Sequence, residues 1–388
     1  MTKSTTTNKM VVVGYGYLGS RICGILSGER SIQNSWRKTN VEGLEIAAVV
    51  EPNADRARSA SRQLPGIPVV ERIDQLDSKT LGDERIFIRD FAPLSERARL
   101  LDFAISNQIN VLLEKPIPEI CLFDEGGKHS IRVGVGMSEV NNPVVAGMRY
   151  LSRKHFSHIH FVGVARVNSI FDIRRSSDSS HRTGIEGGAF LDKMIHDLHL
   201  LDTGHYLGWP ARSIEFGRLN DMKFDPETGE DVYSDVSLKL ATMRDNINVR
   251  LLSSWAGVPS DLHERLRIDP SFVERSTLTY KLEGSGLVVS NLKIAVISGI
   301  NHNGQDVSIV GNLQSRGNLS AGIWMTEEGK TSFREIRFNV PILETIKSFV
   351  YGKHTTLRDV TTCHKVAYMC SKALSASQTR AQRTAYET

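Results

Sequence analysis

A glycine-rich turn between an apolar strand and an amphipathic helix constrains the fold of this chain more than any other feature. The segment VVVGYGYLGS places three glycines directly after the strand, and the helix that follows repeats apolar residues with helical spacing. In a dinucleotide-binding turn the first glycine permits the sharp bend, the second lets the backbone approach the pyrophosphate, and the third allows helix and strand to pack. The sequence therefore predicts a cofactor site, in preference to a purely structural turn, at Gly14, Gly16, Tyr17, Leu18 and Gly19.

Short apolar runs alternate with helical periodicity in the first part of the chain. Helices predicted over 55–64 and 95–107 separate the runs LEIAAVVE, RIFIRDF and NVLLEKP. Alternation of strand and helix indicates a doubly wound parallel sheet, covered by helices on both faces. We predict a dinucleotide-binding domain over residues 1–140.

Beyond residue 140 apolar and polar residues alternate, as in HIHFVGVARVNSIF and DVSLKLATMR. This pattern is typical of half-buried strands in a mostly antiparallel sheet. Helices are predicted over 187–207, 341–351 and 359–377, and the polar stretches NDMKFDPETGED and NHNGQDVSIVGNLQSRGNLS are predicted to be loops. The fold class is thus α/β, with a second α/β domain over 141–388 built on a large, mostly antiparallel open sheet. The closing helices belong to that domain or pack back on the first.

Charge and composition argue against several classes of function. The chain has 48 Lys and Arg against 44 Asp and Glu, a net charge of +4, and no dense basic stripe, so a nucleic-acid partner is not expected. No run approaches the ~20 apolar residues of a membrane span. We expect a cytoplasmic protein without a membrane partner, whose four cysteines are reduced packing residues.

Cofactor choice depends on the end of the second predicted strand. Glu51 closes LEIAAVVE, where an acid binds the adenosine ribose and repels a 2′-phosphate, which favours NAD(H). Glu51 follows the glycines at an unusually long spacing, however, and a solvated strand end is the other interpretation. Arg56 or Arg58 is placed to bind a phosphate instead, and NADP(H) is therefore the alternative cofactor.

Two later motifs carry groups suited to proton transfer. NVLLEKP places Glu114 and Lys115 at the carboxyl end of a strand, where open α/β sheets bind ligands, and both are predicted to contact the cofactor. The following proline restricts the backbone of Lys115. GGAFLDKMIHDLHLLD places Asp192 and His196 four residues apart on one helix face. Histidine titrates near neutrality, as removal of a hydroxyl proton requires.

Both motifs also have simpler interpretations. Lys115 is alternatively a solvated loop charge, and the helix alternatively carries a few polar surface residues. A metal site is a third alternative for the helix, because several potential ligands crowd the same stretch. No metal is predicted, since that stretch lacks an HExxH-type pattern. The potential ligands are His196, His199, Asp202 and His205.

The chain resembles the Gfo/Idh/MocA oxidoreductase family in an ordered set of motifs: VVVGYGYLGS, VVEPNADRA, LLEKP and GGAFLDKMIHD. The resemblance extends over nearly the whole chain, because it includes the closing segment ILETIKSFVYGKHTTLRDVTTCHKVAYMCSKAL. The resemblance implies an N-terminal Rossmann domain, a C-terminal domain with a large open sheet, and a homodimer or homotetramer formed through that sheet. It also implies a catalytic set in which His196 is the acid/base, Lys115 hydrogen-bonds the reacting oxygen and Asp192 assists.

Three segments depart from the family pattern. IRDFAPLSERA places Arg89, Asp90 and Phe91 near the expected nicotinamide, IPEICLFDEGGKHS is too short for the usual long helix, and GMSEVNNP lacks the usual basic and aromatic substrate contacts. Substrate contacts are instead predicted in the loop RRSSDSSHRTGIEGG, with a surface linker as the alternative. The residues predicted in that loop are His181, Arg182 and Glu186.

The leading hypothesis is an NAD(P)-dependent dehydrogenase or ketoreductase that moves a hydride between nicotinamide and a ring carbon of a sugar, cyclitol or nucleotide-sugar. A second hypothesis is an NAD-dependent enzyme that cleaves glycosides through transient oxidation. A third is a non-catalytic protein that senses a dinucleotide.

Overall fold

The computed structural model describes residues 7–28, 43–118, 121, 131–169, 188–225, 231–281, 288–314, 321–337 and 340–387. The chain divides into two compact units. The first comprises residues 1–138 and 340–361, and the second comprises 139–339 and 362–388.

The first unit is built on a six-stranded sheet with the order β3-β2-β1-β4-β5-β6, in which all pairs are parallel. Apolar residues dominate its central strands because helices cover both faces. The strands are β1 (Asn8–Val13), β2 (Leu44–Val50), β3 (Val69–Val70), β4 (Ile86–Asp90), β5 (Asn110–Leu113) and β6 (Val133–Val135).

The helices of this unit are α1 (Tyr17–Leu26), α2 (Ala54–Gln63), α3 (Ser78–Leu81) and α4 (Leu94–Ser106). The bounds of α2 and α4 lie within one residue of those predicted, whereas α3 was not predicted. A later helix, α9 (Pro341–Val350), buries Leu343, Ile346 and Phe349 in the same core as Met10 and Val12 of β1. The chain therefore returns to the first unit near its end.

The second unit contains a nine-stranded mixed sheet with the order β15-β14-β13-β12-β7-β10-β9-β8, with β11 paired to β12. The pair β7–β10 is parallel and the other pairs are antiparallel. The strands are β7 (His158–Asn168), β8 (Ser213–Phe224), β9 (Asp231–Ala241), β10 (Asn246–Ser254), β11 (Leu278–Lys281), β12 (Val288–Ile300), β13 (Asp306–Asn312), β14 (Gly322–Glu327) and β15 (Lys330–Glu335).

Helices lie on both faces of this sheet. One face is contacted by α5 (Pro143–His155) and α6 (Gly188–Asp202). The opposite face, which we call the outer face, carries Ala165 and Leu252 and is partly covered by α7 (Leu262–Leu266) and α8 (Pro270–Ser276). The last helix, α10 (Leu357–Glu387), is divided between the units after Thr361.

The predicted fold class is confirmed, with a parallel doubly wound sheet followed by a mostly antiparallel one. Two loop predictions were partly wrong. Asn220–Phe224 extends β8, and Asp306–Asn312 forms β13, which is paired on both sides within the sheet. Backbone pairing with neighbouring strands outweighs the local turn-forming composition of both segments. Among the described helices, none combines the length and apolarity needed to cross a membrane.

Candidate functional site

Gly14 and Gly19 of the predicted turn are required by packing. Gly14 has a φ of +92°, and a Cβ atom there would lie 2.7 Å from the carbonyl oxygen of Phe91. A Cβ atom at Gly19 would overlap the carbonyl oxygen of Gly14. Both residues thus let strand β1 turn sharply into α1.

Gly16 has a different environment, because the space beside it is open. Its φ of −71° is accessible to any residue, and the nearest atom to a Cβ there would be Nη1 of Arg56, at 3.9 Å. Gly16 is also the N-cap of α1, where no side chain caps the helix and no acidic residue occupies the first turn. Open space beside uncapped N–H groups fits a bound phosphate or pyrophosphate.

The two other predicted residues of the turn face different surroundings. Tyr17 is 71% exposed at the start of α1 and contacts Arg21. Leu18 packs against the core of the first unit. Leu18 therefore anchors the helix, whereas Tyr17 leaves an exposed ring beside the turn.

Glu51 lies at the predicted strand end, but its carboxylate is buried. It is 3% exposed, and it accepts hydrogen bonds from the backbone N–H groups of Tyr15 at 2.6 Å and Asn53 at 2.9 Å. Glu51 thereby ties the glycine turn to the start of α2. The guanidinium of Arg56 has no ion-pair partner among the described residues, whereas Arg58 pairs with Asp55.

Asp90 and Arg97 form a buried ion pair beneath the turn. Arg97 Nε lies 2.9 Å from Asp90 Oδ2, and Asp90 also accepts the backbone N–H groups of Ala92 at 2.7 Å and Glu114 at 3.0 Å. Burial is the largest influence on Asp90 and raises the pKa of its carboxyl, although Arg97 opposes this effect. One carboxylate thus joins β4, the following loop and the end of β5.

Arg89 and Glu114 form a second ion pair. Arg89 is fully buried, donates from Nη2 to Glu114 Oε2 at 2.6 Å, and stacks 4.2 Å from the Phe91 ring centroid. The sequence placed Arg89, Asp90 and Phe91 beside the expected nicotinamide and Glu114 among the cofactor contacts. In the structure, Arg89 donates to Glu114 and to the backbone carbonyls of Asp90 and Leu112, so these residues also support the turn from inside. Their contacts with a cofactor stay predictions.

Lys115 follows this network directly and is partly buried. The backbone on its two sides is fixed, since Glu114 N–H donates to Asp90 and the carbonyl of Pro116 accepts from Arg97 Nη1 at 2.7 Å. The ammonium group is therefore carried by a rigid backbone segment at the carboxyl end of β5. The Lys115–Pro116 peptide in this segment is cis.

In the second unit, Asp192 and His196 share the partly exposed face of an otherwise buried helix. Of the residues of α6, Asp192, Lys193, His196 and Asp202 are partly exposed and the others are buried. Asp192, Lys193 and His196 lie on one side of the helix, because residues three and four apart share a helix face. The predicted carboxylate and imidazole thus lie on the surface that α6 leaves accessible.

Sequence reasoning missed a buried charge network beside His196. Arg166 of β7 binds both carboxylate oxygens of Asp197 and donates from Nη1 to Glu139 Oε1 at 2.9 Å. Tyr206 donates its hydroxyl to Asp197 at 2.6 Å, and Lys293 lies 3.2 Å from Glu139. The available indication was Arg166 itself, a charged residue inside an apolar strand.

This network sets the charge around His196. Burial alone would raise the pKa of Glu139, but the positive charges of Arg166, Lys293 and His196 hold it well below its usual range. Glu139 is therefore kept ionised beside His196.

Two of the crowded histidines, in and directly after α6, pack against each other. His199 is 2% exposed and stacks on His205, with ring centroids 6.5 Å apart. Within the described part of the chain, no three His, Cys, Asp or Glu side chains are grouped to hold a metal ion. The predicted substrate residues His181, Arg182 and Glu186, and most of the IPEICLFDEGGKHS segment, lie outside the described residues.

No protein-family model and no curated protein matches this sequence. Solved structures do match the fold. KijD10, a 3-ketoreductase from Actinomadura kijaniata in complex with NADP and TDP-benzene, has a TM-score of 0.64 at 12% identity over 93% of this chain and 96% of that protein. An Agrobacterium radiobacter oxidoreductase in complex with NAD+, L-tartaric acid and magnesium has a TM-score of 0.62 at 12% identity, over 94% of this chain and 95% of that protein.

An oxidoreductase from Thermotoga maritima has a TM-score of 0.65 at 12% identity, over 96% of this chain and 99% of that protein. The chain thus has the two-domain fold of these oxidoreductases over nearly its full length. At this identity the likeness establishes the fold alone, and membership of the Gfo/Idh/MocA family stays a prediction.

Proposed function

We propose that this protein is an NAD(P)-dependent dehydrogenase or ketoreductase, which transfers a hydride between nicotinamide and a ring carbon of a sugar, cyclitol or nucleotide-sugar. The observation that carries the proposal is the glycine turn, where Gly16 leaves open space beside an uncapped helix N-terminus. The solved structures of this fold that contain NADP or NAD+ support it.

The residues of the turn fit the diphosphate of a dinucleotide. The N–H groups of the first turn of α1 would hold the phosphate oxygens, and Arg56 would supply a positive charge beside them. When bound, the nicotinamide ring accepts or donates the hydride. Glu51 would keep the turn in shape through its bonds to Tyr15 and Asn53.

The proposed catalytic groups are Lys115 of the first unit and Asp192 and His196 of the second. His196 would remove the hydroxyl proton during oxidation and return it during reduction. Lys115 would hydrogen-bond the reacting oxygen and stabilise negative charge on it. Asp192, one helical turn from His196, would position the imidazole or the substrate.

A spectrophotometric screen of NAD and NADP against sugars, inositols and nucleotide-sugars tests the proposal. We expect net redox turnover with at least one ring alcohol or ketone. His196→Ala and Lys115→Ala should abolish turnover and leave NADH binding nearly unchanged, with His302→Ala, an exposed histidine, as the matched control. Loss of NADH binding in both site variants would show that the site is misassigned, and sugar cleavage without net redox change would favour the glycoside-cleaving hypothesis.

Cofactor choice is a finer part of the proposal, with NAD(H) favoured. The buried carboxylate of Glu51 repels a 2′-phosphate, whereas the guanidinium of Arg56 attracts phosphate of either cofactor. Arg56→Ala should weaken binding of both NADH and NADPH by roughly tenfold, the loss of one charge-assisted hydrogen bond. Fluorescence titration measures both affinities, and a loss confined to NADPH would instead assign Arg56 to the 2′-phosphate and contradict the NAD(H) preference.

A further inference from the structure

Arg89 is an unusual residue for the end of a central strand, because its side chain is fully buried. It lies one residue before the end of β4, between its cross-strand neighbours Val12 of β1 and Leu112 of β5. Burial of a guanidinium is costly unless its charge is paired and its N–H groups are bonded. The partners of Arg89 therefore indicate its role.

The backbone and one aromatic ring hold the guanidinium of Arg89 in a single orientation. Nη1 donates to the carbonyl oxygens of Asp90 at 2.9 Å and Leu112 at 3.2 Å. Cζ lies 4.2 Å from the centroid of the Phe91 ring, in a cation–π contact. Because the guanidinium is planar, these contacts also set the direction in which Nη2 donates.

Nη2 holds one carboxylate oxygen of Glu114 and leaves the other available. It donates to Oε2 at 2.6 Å. The ion pair fills the space beside Gly136, where a Cβ atom would lie 3.1 Å from Oε2 and 3.2 Å from Nη2. The second oxygen, Oε1, accepts no hydrogen bond from the described residues, and 13% of the Glu114 side chain stays exposed. Arg89 thus presents Glu114 with one oxygen bound and one oxygen open to a ligand.

The sheet order indicates which part of a dinucleotide this oxygen would meet. The glycine turn follows β1, Glu51 follows β2 on one side of it, and Glu114 follows β5 on the other. A dinucleotide whose diphosphate lies on the turn has its adenosine on the side of β2, so its nicotinamide half would lie on the side of β4 and β5. An ionised carboxylate only accepts hydrogen bonds, which suits the hydroxyl groups of a ribose.

We propose that Arg89 is a positioning residue for the cofactor, which holds Glu114 so that its Oε1 accepts a hydroxyl of the nicotinamide ribose. The inference rests on the proposed function, because it requires a bound nicotinamide dinucleotide. A carboxylate that is already oriented loses less conformational freedom on binding, so its hydrogen bond contributes more to affinity. Arg89 itself is buried and acts only through Glu114.

Three ligands separate the ribose contact from the rest of the cofactor. ADP contains the adenosine and the diphosphate, ADP-ribose adds the second ribose, and NADH adds the nicotinamide. In calorimetric titrations of the full-length protein, Arg89→Met should bind ADP-ribose and NADH about tenfold more weakly, because a hydrogen bond to a charged group is lost, and should bind ADP as the wild type does. Absence of NADH binding to the wild type would refute the proposed function together with this inference, whereas unaltered binding in Arg89→Met would refute this inference alone.

Arg132→Met is the matched control. Arg132 Nη1 also donates to two carbonyl oxygens, those of Phe349 at 2.7 Å and Val350 at 3.3 Å, and its Cζ lies 5.6 Å from the Phe349 ring centroid. Arg132 precedes β6, however, at the edge of the sheet opposite the glycine turn. Both variants should unfold at a lower temperature, but Arg132→Met should bind the three ligands as the wild type does. Equal weakening of ADP and ADP-ribose in Arg89→Met would show that Arg89 only supports the turn, and would overturn the inference.

Arg89→Lys guards against a folding defect, because it keeps the positive charge beside Glu114. An ammonium group cannot bind two carbonyls and a carboxylate in the fixed directions of a guanidinium, so ADP-ribose should bind about threefold more weakly, with ADP unaffected. Wild-type affinity for ADP-ribose in this variant would show that Glu114 needs only a counter-charge, which would contradict positioning by Arg89.

Glu114→Gln tests whether Arg89 acts through Glu114. Glutamine keeps the size of the side chain and removes its charge, so ADP-ribose should again bind about tenfold more weakly. Arg89→Met/Glu114→Gln should bind ADP-ribose no more weakly than either single variant, because both substitutions remove one interaction. Losses that multiply to about a hundredfold would show independent action, and a loss confined to NADH would place the contact at the nicotinamide ring. Either result would overturn the inference.

Discussion

The glycine turn allows cofactor binding to be separated from stability by one substitution. Gly16→Ser places a side chain where the backbone already accepts one, with φ −71° and the nearest atom 3.9 Å from the new Cβ. Serine is at least as good an N-cap as glycine, by a few tenths of a kcal/mol, and replacing a glycine restricts the unfolded chain by roughly 0.4–1 kcal/mol. We therefore expect unchanged or slightly increased stability.

The same substitution should impair dinucleotide binding. The new hydroxyl occupies the open space and can accept the N–H groups that would otherwise face the diphosphate. We expect the Kd for NADH to rise at least about tenfold, which corresponds to about 1.4 kcal/mol. Thermal unfolding measures the stability and fluorescence titration measures the affinity, both on the full chain.

Gly19→Ser is the matched control, because its Cβ would overlap the carbonyl oxygen of Gly14. It should destabilise the protein by about 1–3 kcal/mol through overpacking. If Gly16→Ser retained wild-type NADH affinity, the open space would not be the diphosphate site and the central argument for the proposed function would fail.

Two further predictions concern charged residues of the second unit. Arg166→Met leaves the carboxylates of Glu139 and Asp197 buried without their shared cation, and it should lower the free energy of unfolding by about 3–5 kcal/mol in urea titrations; a loss below about 1 kcal/mol would contradict the ion network. Burial raises the pKa of Asp202 from 3.8 to about 6. Because the folded state binds this proton more tightly, the stabilisation is complete below pH 3.8 and is lost as the pH rises to about 6. Asp202→Asn should remove this component of the pH dependence of unfolding, and an unaltered profile would refute the assignment.

The sequence predicted the parallel sheet well because its elements are locally encoded. Strands of the first unit are continuous apolar runs, and α2 and α4 lie within one residue of their predicted bounds. The glycine turn could be predicted equally well, because the residues that form it are close together in the sequence.

Short elements and distant partners were not predictable in the same way. The helices α7 and α8 have five and seven residues, shorter than the window over which periodicity is visible, although Asp269 and Pro270 mark the start of α8. The network of Arg166 joins Glu139 and Asp197 from separate segments, and no local pattern connects them. Likewise, only strand register places Arg218 and Lys239 on the same face of the large sheet.

The carboxylate of Asp90 has an evolutionary consequence. Three segments converge on this single group, through Arg97, the N–H of Ala92 and the N–H of Glu114. Loss of the acid alone would leave a buried guanidinium without its counter-charge, and loss of the arginine alone would leave a buried carboxylate without its counter-charge. Positions 90 and 97 are therefore expected to change together or not at all, so that related sequences fall into two sets: those that carry both charges and those that carry neither.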